Sequence, residues 1–232
     1  MDKGKYALCH VLFPLIGVVI GVLSWLWGTY APNVLDSRVF MTIVLLLIPV
    51  AISGGIHLDG LLDTSDALNS YQPREKKLEI LKDSNAGAFA IIVGICYFLL
   101  YFGVYSEMTS AGLPVVCLGF VLSRGMGAFS IASFPMAKNT GLAAAFSDGA
   151  QKQAVRVVSV LFSLAAAVLM ILYQPVIGGA AVLGAGLEYL YYYRMSMKQF
   201  GITGDLAGFH MQICELAIAL FAVAGEVIVR HL

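Results

Sequence analysis

The sequence predicts an all-α fold: a polytopic integral membrane bundle of about seven transmembrane helices, with its N-terminus cytoplasmic. Three observations carry that reading. The 232 residues are 59% hydrophobic and only 12% charged, with mean hydropathy +0.86; soluble domains carry about twice that charged share. The apolar residues fall in long uncharged runs close to the ~20 residues that a bilayer demands. Strand-like alternation is missing, so a membrane β-barrel is not in play.

Taken in order, the chain starts Met1-Asp2-Lys3-Gly4-Lys5 and enters an apolar run with no small-residue cleavage site. That run is read as a retained span, not a signal peptide. Seven spans are predicted, at roughly 7–28, 39–57, 87–106, 112–133, 155–173, 176–193 and 207–229. The fifth and sixth are joined only by Tyr173, Gln174 and Pro175 and should form a tight hairpin. Residues 73–82 have helical spacing, with Pro73 at the start and Leu78 and Leu81 on one side. No stretch outside the spans is long enough to fold alone, so residues 1–232 are read as one transmembrane domain. Cys9, Cys96, Cys117 and Cys214 lie scattered in apolar segments and read as small buried residues.

Charge orients the bundle. Eleven of the 14 Lys and Arg fall on one side and two, Arg38 and Arg230, on the other, while Arg124 lies inside a span. The positive-inside rule makes the rich side cytoplasmic, giving N-terminus in and C-terminus out. The expected location is therefore the cytoplasmic (inner) membrane, crossed several times. Every polar, motif-like segment (54–87, 123–153 and 194–206) then falls on the cytoplasmic side. A transporter needs polar groups near mid-depth, often in two related halves. Polar groups gathered at one face suit a membrane-surface enzyme better. The balanced charge gives no reason to expect nucleic acid.

The chemistry centres on His57-Leu58-Asp59-Gly60-Leu61-Leu62-Asp63-Thr64-Ser65-Asp66, which follows a run, 42–56, without a single charge. Asp59, Asp63 and Asp66 are spaced i, i+4 and i+7, which stacks them on one helix face. A helix N-cap accounts for one such Asp but not for three. Carboxylates that close repel one another, so a hard cation with oxygen ligands, such as Mg²⁺, is the expected partner. Downstream, Lys82-Asp83-Ser84 enters the third span and can complete a metal and phosphate site, whereas Lys76 and Lys77 read as solvated, topology-fixing charges. Arg124 costs at least a few kcal/mol inside a span unless it is paired, and is expected to point into the same cavity as Asp59 and Asp63. Gly201-Ile202-Thr203-Gly204-Asp205 opens the last span, where Thr203 or Asp205 is a candidate cap. Gln212 and Glu215 follow within that span, Glu188 sits in another apolar run, and Glu226 near the outer end reads as incidental. His57 reads as a ligand, a base or an interfacial residue. No GxxxxGK[ST] loop is present, which argues against a nucleotide-driven motor. Metal-assisted phosphoryl transfer is the chemistry these groups suit.

These motifs together resemble the cobalamin synthases, the adenosylcobinamide-GDP ribazoletransferases. Residues 57–66 resemble the family's HxDGxxDxxD signature, and Lys82-Asp83-Ser84-Asn85-Ala86-Gly87 its K-D-S-x-x-G segment. Ser123-Arg124 and Lys138 are similar to its S-R pair and the loop that follows. Thr203-Gly204-Asp205 with Gly208, Gln212 and Glu215 matches its late T-G-D segment. Ala67 stands where the family usually has Gly, and Asn85 where Arg is common.

The resemblance implies an Mg²⁺-dependent transferase that joins adenosylcobinamide-GDP to α-ribazole or its 5′-phosphate. GMP is released and adenosylcobalamin or its 5′-phosphate forms. On this reading Asp59, Asp63, Asp66 and Asp83 hold metal. His57 and Lys82 join the three α-helical acids in catalysis. Asp83, Ser84, Arg124, Lys138, Asp205, Gln212 and Glu215 contact substrate. The partners are those two substrates and the lipid bilayer; homo-oligomerisation is left open. Three rivals are weaker. A polyprenyl-diphosphate transferase normally has a second Asp-rich pair, and Asp205 stands without an acid at i+4. A CDP-alcohol phosphotransferase has Ala-Arg after its first Asp-Gly, where this chain has Leu61-Leu62. A non-catalytic corrinoid transporter or scaffold would show no metal dependence.

Overall fold

The structure, a computed structural model, describes residues 13–83, 85–137 and 149–231. Lys3, Lys5, Cys9, Ser84 and Lys138 lie outside them. The elements are helices: α1 (Phe13–Tyr30), α2 (Arg38–Ser53), α3 (Ile56–Asn69), α4 (Arg74–Ile80), α5 (Ala88–Glu107), α6 (Leu113–Ser133), α7 (Gly149–Tyr173), α8 (Pro175–Gln199) and α9 (Gly204–His231), with one 3-10 turn at Ala31–Asn33. Among the described residues the only strand-like pairing is an isolated bridge between Met136 and Ile202. The all-α fold expected from the sequence is the fold observed.

Burial sorts the helices as a bilayer would. α1, α5 and α7 turn rows of large apolar side chains outward, with Leu99 67% and Leu172 74% exposed. In water such rows would be costly; against hydrocarbon they are at home, because the backbone polar groups along the body of each helix are bonded within it. α6 is the reverse, buried on nearly all sides by α1, α7 and α9. Among the described residues five helices are long and apolar enough to cross a membrane, and six if α2 and α3 count as one broken span. That differs from the seven spans predicted. The difference lies in α2–α3 and in α8, where Glu188 and a cluster of tyrosines (Tyr189, Tyr191, Tyr192, Tyr193) dilute the apolar surface.

The break between α2 and α3 has a backbone cause. Gly54 and Gly55 take φ of +63° and +79°, a left-handed conformation that side chains with a Cβ resist. The chain leaves this double-glycine hinge at 93° to α2. Bent so far from α2, the 14-residue α3 does not continue that helix in a straight line and is too short to cross a bilayer by itself. α9 is the organising element, packing on α8, α3, α6 and α5. The predicted α7–α8 hairpin forms with Gln174 as its only linker, closed by Gln174 N–H donating to Met170 O at 3.1 Å. At the opposite end from α3, Glu226 has a role that the sequence did not show. It accepts from the Thr109 backbone N–H (3.2 and 3.1 Å) and hydroxyl (2.7 Å), tying α9 to the α5–α6 turn.

Candidate active site

The acids of α3 meet two other segments because α3 and α9 cross at van der Waals contact. A Cβ on Gly60 would lie 2.5 Å from the Asp205 carbonyl oxygen, and one on Gly208 would lie 3.1 Å from His57 Cα. Only glycines at both positions let the first turn of α9 lie on α3, which brings Asp205 beside Asp59 and Asp63. Thr203, not Asp205, caps α9: its Oγ1 accepts from Leu206 N–H at 3.1 Å. Asp63 feels the result. Burial raises its pKa to about 6, and the charges of Asp59, Asp205, Asp66 and Asp83 push it the same way. Asp66 is turned differently from its neighbours. Its carboxylate accepts from Gly87 N–H (2.6 Å) and Ala90 N–H (2.9 Å), so it caps α5 and pins that helix's positive end to the acid face.

Lys82 and Asp83 follow α4 in a hydrogen-bonded turn, with Lys82 N–H donating to Glu79 O (3.0 Å) and Asp83 N–H to Ile80 O (2.9 Å). Asn85 donates its backbone N–H (3.0 Å) and side-chain amide (2.8 Å) to Asp83 Oδ1. Those two bonds hold the Asp83 carboxyl below its ordinary range, so it stays ionised. The departure from the family pattern at Asn85 therefore has a local function. α4 itself is anchored. Arg74 donates to Phe200 O through Nε (3.1 Å) and Nη2 (2.8 Å), and Leu78 and Leu81 are buried. Lys76 is solvated and pairs with Glu79, as expected. Lys77 corrects the sequence reading: it is buried, donates to Gln199 Oε1 and sits 5.9 Å from the Phe200 ring centroid.

The carboxylates form an open arc rather than a cage. Among the described residues, no three of the aspartate oxygens lie within 4.8 Å of one another. Mg²⁺ suits such an arc, since it keeps waters and takes one or two carboxylates together with substrate phosphates.

Comparison with known proteins identifies the family. The model for cobalamin-5-phosphate synthase matches residues 1–223. The chain belongs to that family. It is 39% identical over 228 residues to the adenosylcobinamide-GDP ribazoletransferase of Lachnoclostridium phytofermentans, covering 98% of this chain and 87% of that one. The proteins of the same name from Clostridium botulinum (strain Alaska E43 / Type E3) and Geobacillus sp. (strain WCH70) are 32% and 30% identical, covering 90% and 84% of this chain and 84% and 77% of theirs. No solved structure matches. This member of the family is thus a transferase of cobalamin biosynthesis.

In this cobalamin-5-phosphate synthase homologue, Arg124, Glu215 and Gln212, expected to contact substrate, are hydrogen-bonded inside the bundle. Arg124 is fully buried in α6 and spends one guanidinium nitrogen on Glu215 Oε1 (2.5 Å), Phe120 O (3.1 Å) and Ser123 Oγ (3.2 Å). Glu215 is its buried partner, and Gln212 accepts from Tyr97 O–H at 2.6 Å. A charge costs several kcal/mol away from water unless it is paired, which is why Arg124 turns to the acid of the neighbouring helix and not to the aspartates. His57 stands between the two layers. It is buried edge-on against Phe13 at 5.7 Å, and burial, with the charge of Arg124 adding to it, lowers its pKa to about 4. It is neutral at neutral pH and a weak base there, so proton acceptance falls better to a carboxylate. Sequence reading passed over His210, which meets Glu188 across α8 and α9. Nothing in its spacing announces that pairing.

Proposed function

We propose that this chain joins adenosylcobinamide-GDP to α-ribazole or its 5′-phosphate at the cytoplasmic face of the inner membrane, releasing GMP. The observation that carries the reading is the gathering of Asp59, Asp63, Asp66, Asp83 and Asp205 from three segments at one end of the bundle. The relatives' names support the substrates, and the charge bias of the loops supports the side.

The donor set fits Mg²⁺, being all oxygen, anionic and open toward solvent, with Asp59, Asp63, Asp66 and Asp83 as its holders. When bound, that ion supplies positive charge to a diphosphate and to a departing phosphate. The chain's own residues do the rest. Lys82 stands beside the arc to pair with phosphate oxygen. The nucleoside hydroxyl attacks the phosphorus attached to cobinamide, the anhydride bond to GMP breaks, and a carboxylate of the arc takes the hydroxyl proton. Arg124, Gln212 and Glu215 contribute from below by holding α5, α6 and α9 in register. Roles for Ser84 and Lys138 in gripping substrate rest on the family resemblance alone.

The test follows GMP release by purified protein from adenosylcobinamide-GDP and α-ribazole, with Mg²⁺ or with chelator. Chelator, Asp59→Asn and Asp63→Asn should each reduce release by at least about 10³-fold, while the variants remain folded in detergent. Release unaffected by chelator, or by both substitutions, would remove the metal assignment.

A further inference from the structure

A second donor cluster lies inside the bundle, away from the aspartates. Glu188 of α8 and His210 and Cys214 of α9 bring a carboxylate oxygen, an imidazole nitrogen and a thiol sulfur within 4.8 Å of one another, all buried. Among the described residues it is the only such trio. His210 and Cys214 are four residues apart and so share a face of α9. Glu188 Oε2 lies 2.8 Å from His210 Nδ1. His210 Nε2 and Glu188 Oε1 have no hydrogen-bond partner although both side chains are more than nine-tenths buried. The Tyr192 ring stacks on the imidazole at 4.6 Å and holds its plane. Unsatisfied polar atoms in so apolar a place are costly and call for a partner.

We propose that Glu188, His210 and Cys214 bind a Zn²⁺-type ion that staples α8 to α9. Ligand chemistry selects the ion. A thiolate and an imidazole favour a borderline-soft divalent metal, whereas the all-oxygen arc on α3 favours a hard one. Charge also favours it, because a divalent cation with one thiolate, one carboxylate and a neutral imidazole is neutral overall, which suits a low-dielectric interior. Spacing agrees. Ligands about 2.0–2.3 Å from a tetrahedral ion stand roughly 3.3–3.7 Å apart, so the Glu188 and His210 donors, 2.8 Å apart, need spread by less than an ångström. Three protein donors leave one coordination position for a water or hydroxyl oxygen. Loading the ion releases the thiol proton to solvent.

The test uses the full chain in detergent, loaded with Zn²⁺, passed through a desalting step with excess Mg²⁺, and analysed for metal. Wild type and Asp59→Asn should each retain about one Zn²⁺ per chain, and Cys214→Ala and Glu188→Gln about a tenth of that or less. Co²⁺ loading of wild type should give a thiolate-to-cobalt charge-transfer band that is missing from Cys214→Ala. Wild type holding no zinc and showing no such band overturns the proposal, whether or not the variants fold. So does full zinc retention by a folded Cys214→Ala, or zinc retention that disappears with Asp59→Asn.

Discussion

Asp63 is the residue at which sequence, packing and proton equilibrium meet. It ionises near 3.8 in an unfolded chain and near 6 in the folded one, because burial and four neighbouring acids oppose its charge. Between those values the folded protein holds a proton that the unfolded chain has released. Stability without divalent ions should therefore rise as pH falls from about 7 to about 5 and be lost again as pH rises through 6. Thermal unfolding in detergent checks this. Chelated wild type should melt a few degrees higher at the acid end, and either Mg²⁺ or Asp63→Asn should flatten the slope. A slope unchanged in Asp63→Asn would place the repulsion elsewhere. Asp66 behaves differently under substitution, since its carboxylate also caps α5. Asp66→Ala should cost about 1–2 kcal/mol of stability on that account alone, so a loss of turnover there is read beside its melting curve. The acids themselves were legible in the sequence, because a four-residue spacing fixes a helix face without knowledge of the fold. Whose charge each acid answers to was not.

The elements turn on one crossing. Gly60 and Gly208 set the distance between α3 and α9, and the atom that a new Cβ on Gly60 would strike is backbone, which cannot rotate away. Gly60→Ala must push the first turn of α9, with Asp205, off the acid arc. It should cost about 1–3 kcal/mol, and GMP release should fall about a hundredfold from so small a displacement. Gly179→Ala in α8 is the control, because nothing lies within 4 Å of the added carbon. There stability should hold or rise by about 0.5–1 kcal/mol, with activity unchanged. Equal effects at both positions would show that helix propensity, not the crossing, governs. The sequence supplied both helices and the glycines, but periodicity runs through Gly54-Gly55 unbroken, so the 93° turn between α2 and α3 left no trace beyond a span's end. Lys77 likewise reads as one more surface charge, since Gln199 and Phe200 lie 122 and 123 residues away in the chain.

At the scale of the whole molecule the question is how a bundle with a lipid-facing exterior keeps its polar end in register. The hydrophobic effect does little between helices already in hydrocarbon, which leaves packing and buried polar pairs. Arg124 and Glu215 are the most demanding of these, a charge pair wholly removed from water between the central helix α6 and the organising helix α9. Their rotational match could not be read from two sequence positions 91 residues apart; it exists only once both helices are packed. Arg124→Met alone leaves an unpaired buried carboxylate, and Glu215→Met alone an unpaired guanidinium. Each should destabilise by about 3–5 kcal/mol. The double variant Arg124→Met/Glu215→Met removes both charges at similar volume and should recover most of that loss, a coupling that a double-mutant cycle on thermal unfolding measures directly. The same cycle run on GMP release separates two roles for the arginine. If Arg124 acts by holding α6 to α9, activity returns with stability in the double variant, which is the outcome its burial and its partners point to. A double variant that melts like wild type yet releases no GMP would instead assign the guanidinium to the reacting phosphate, and would require its side chain to swing from Glu215 toward the acid face when substrate binds.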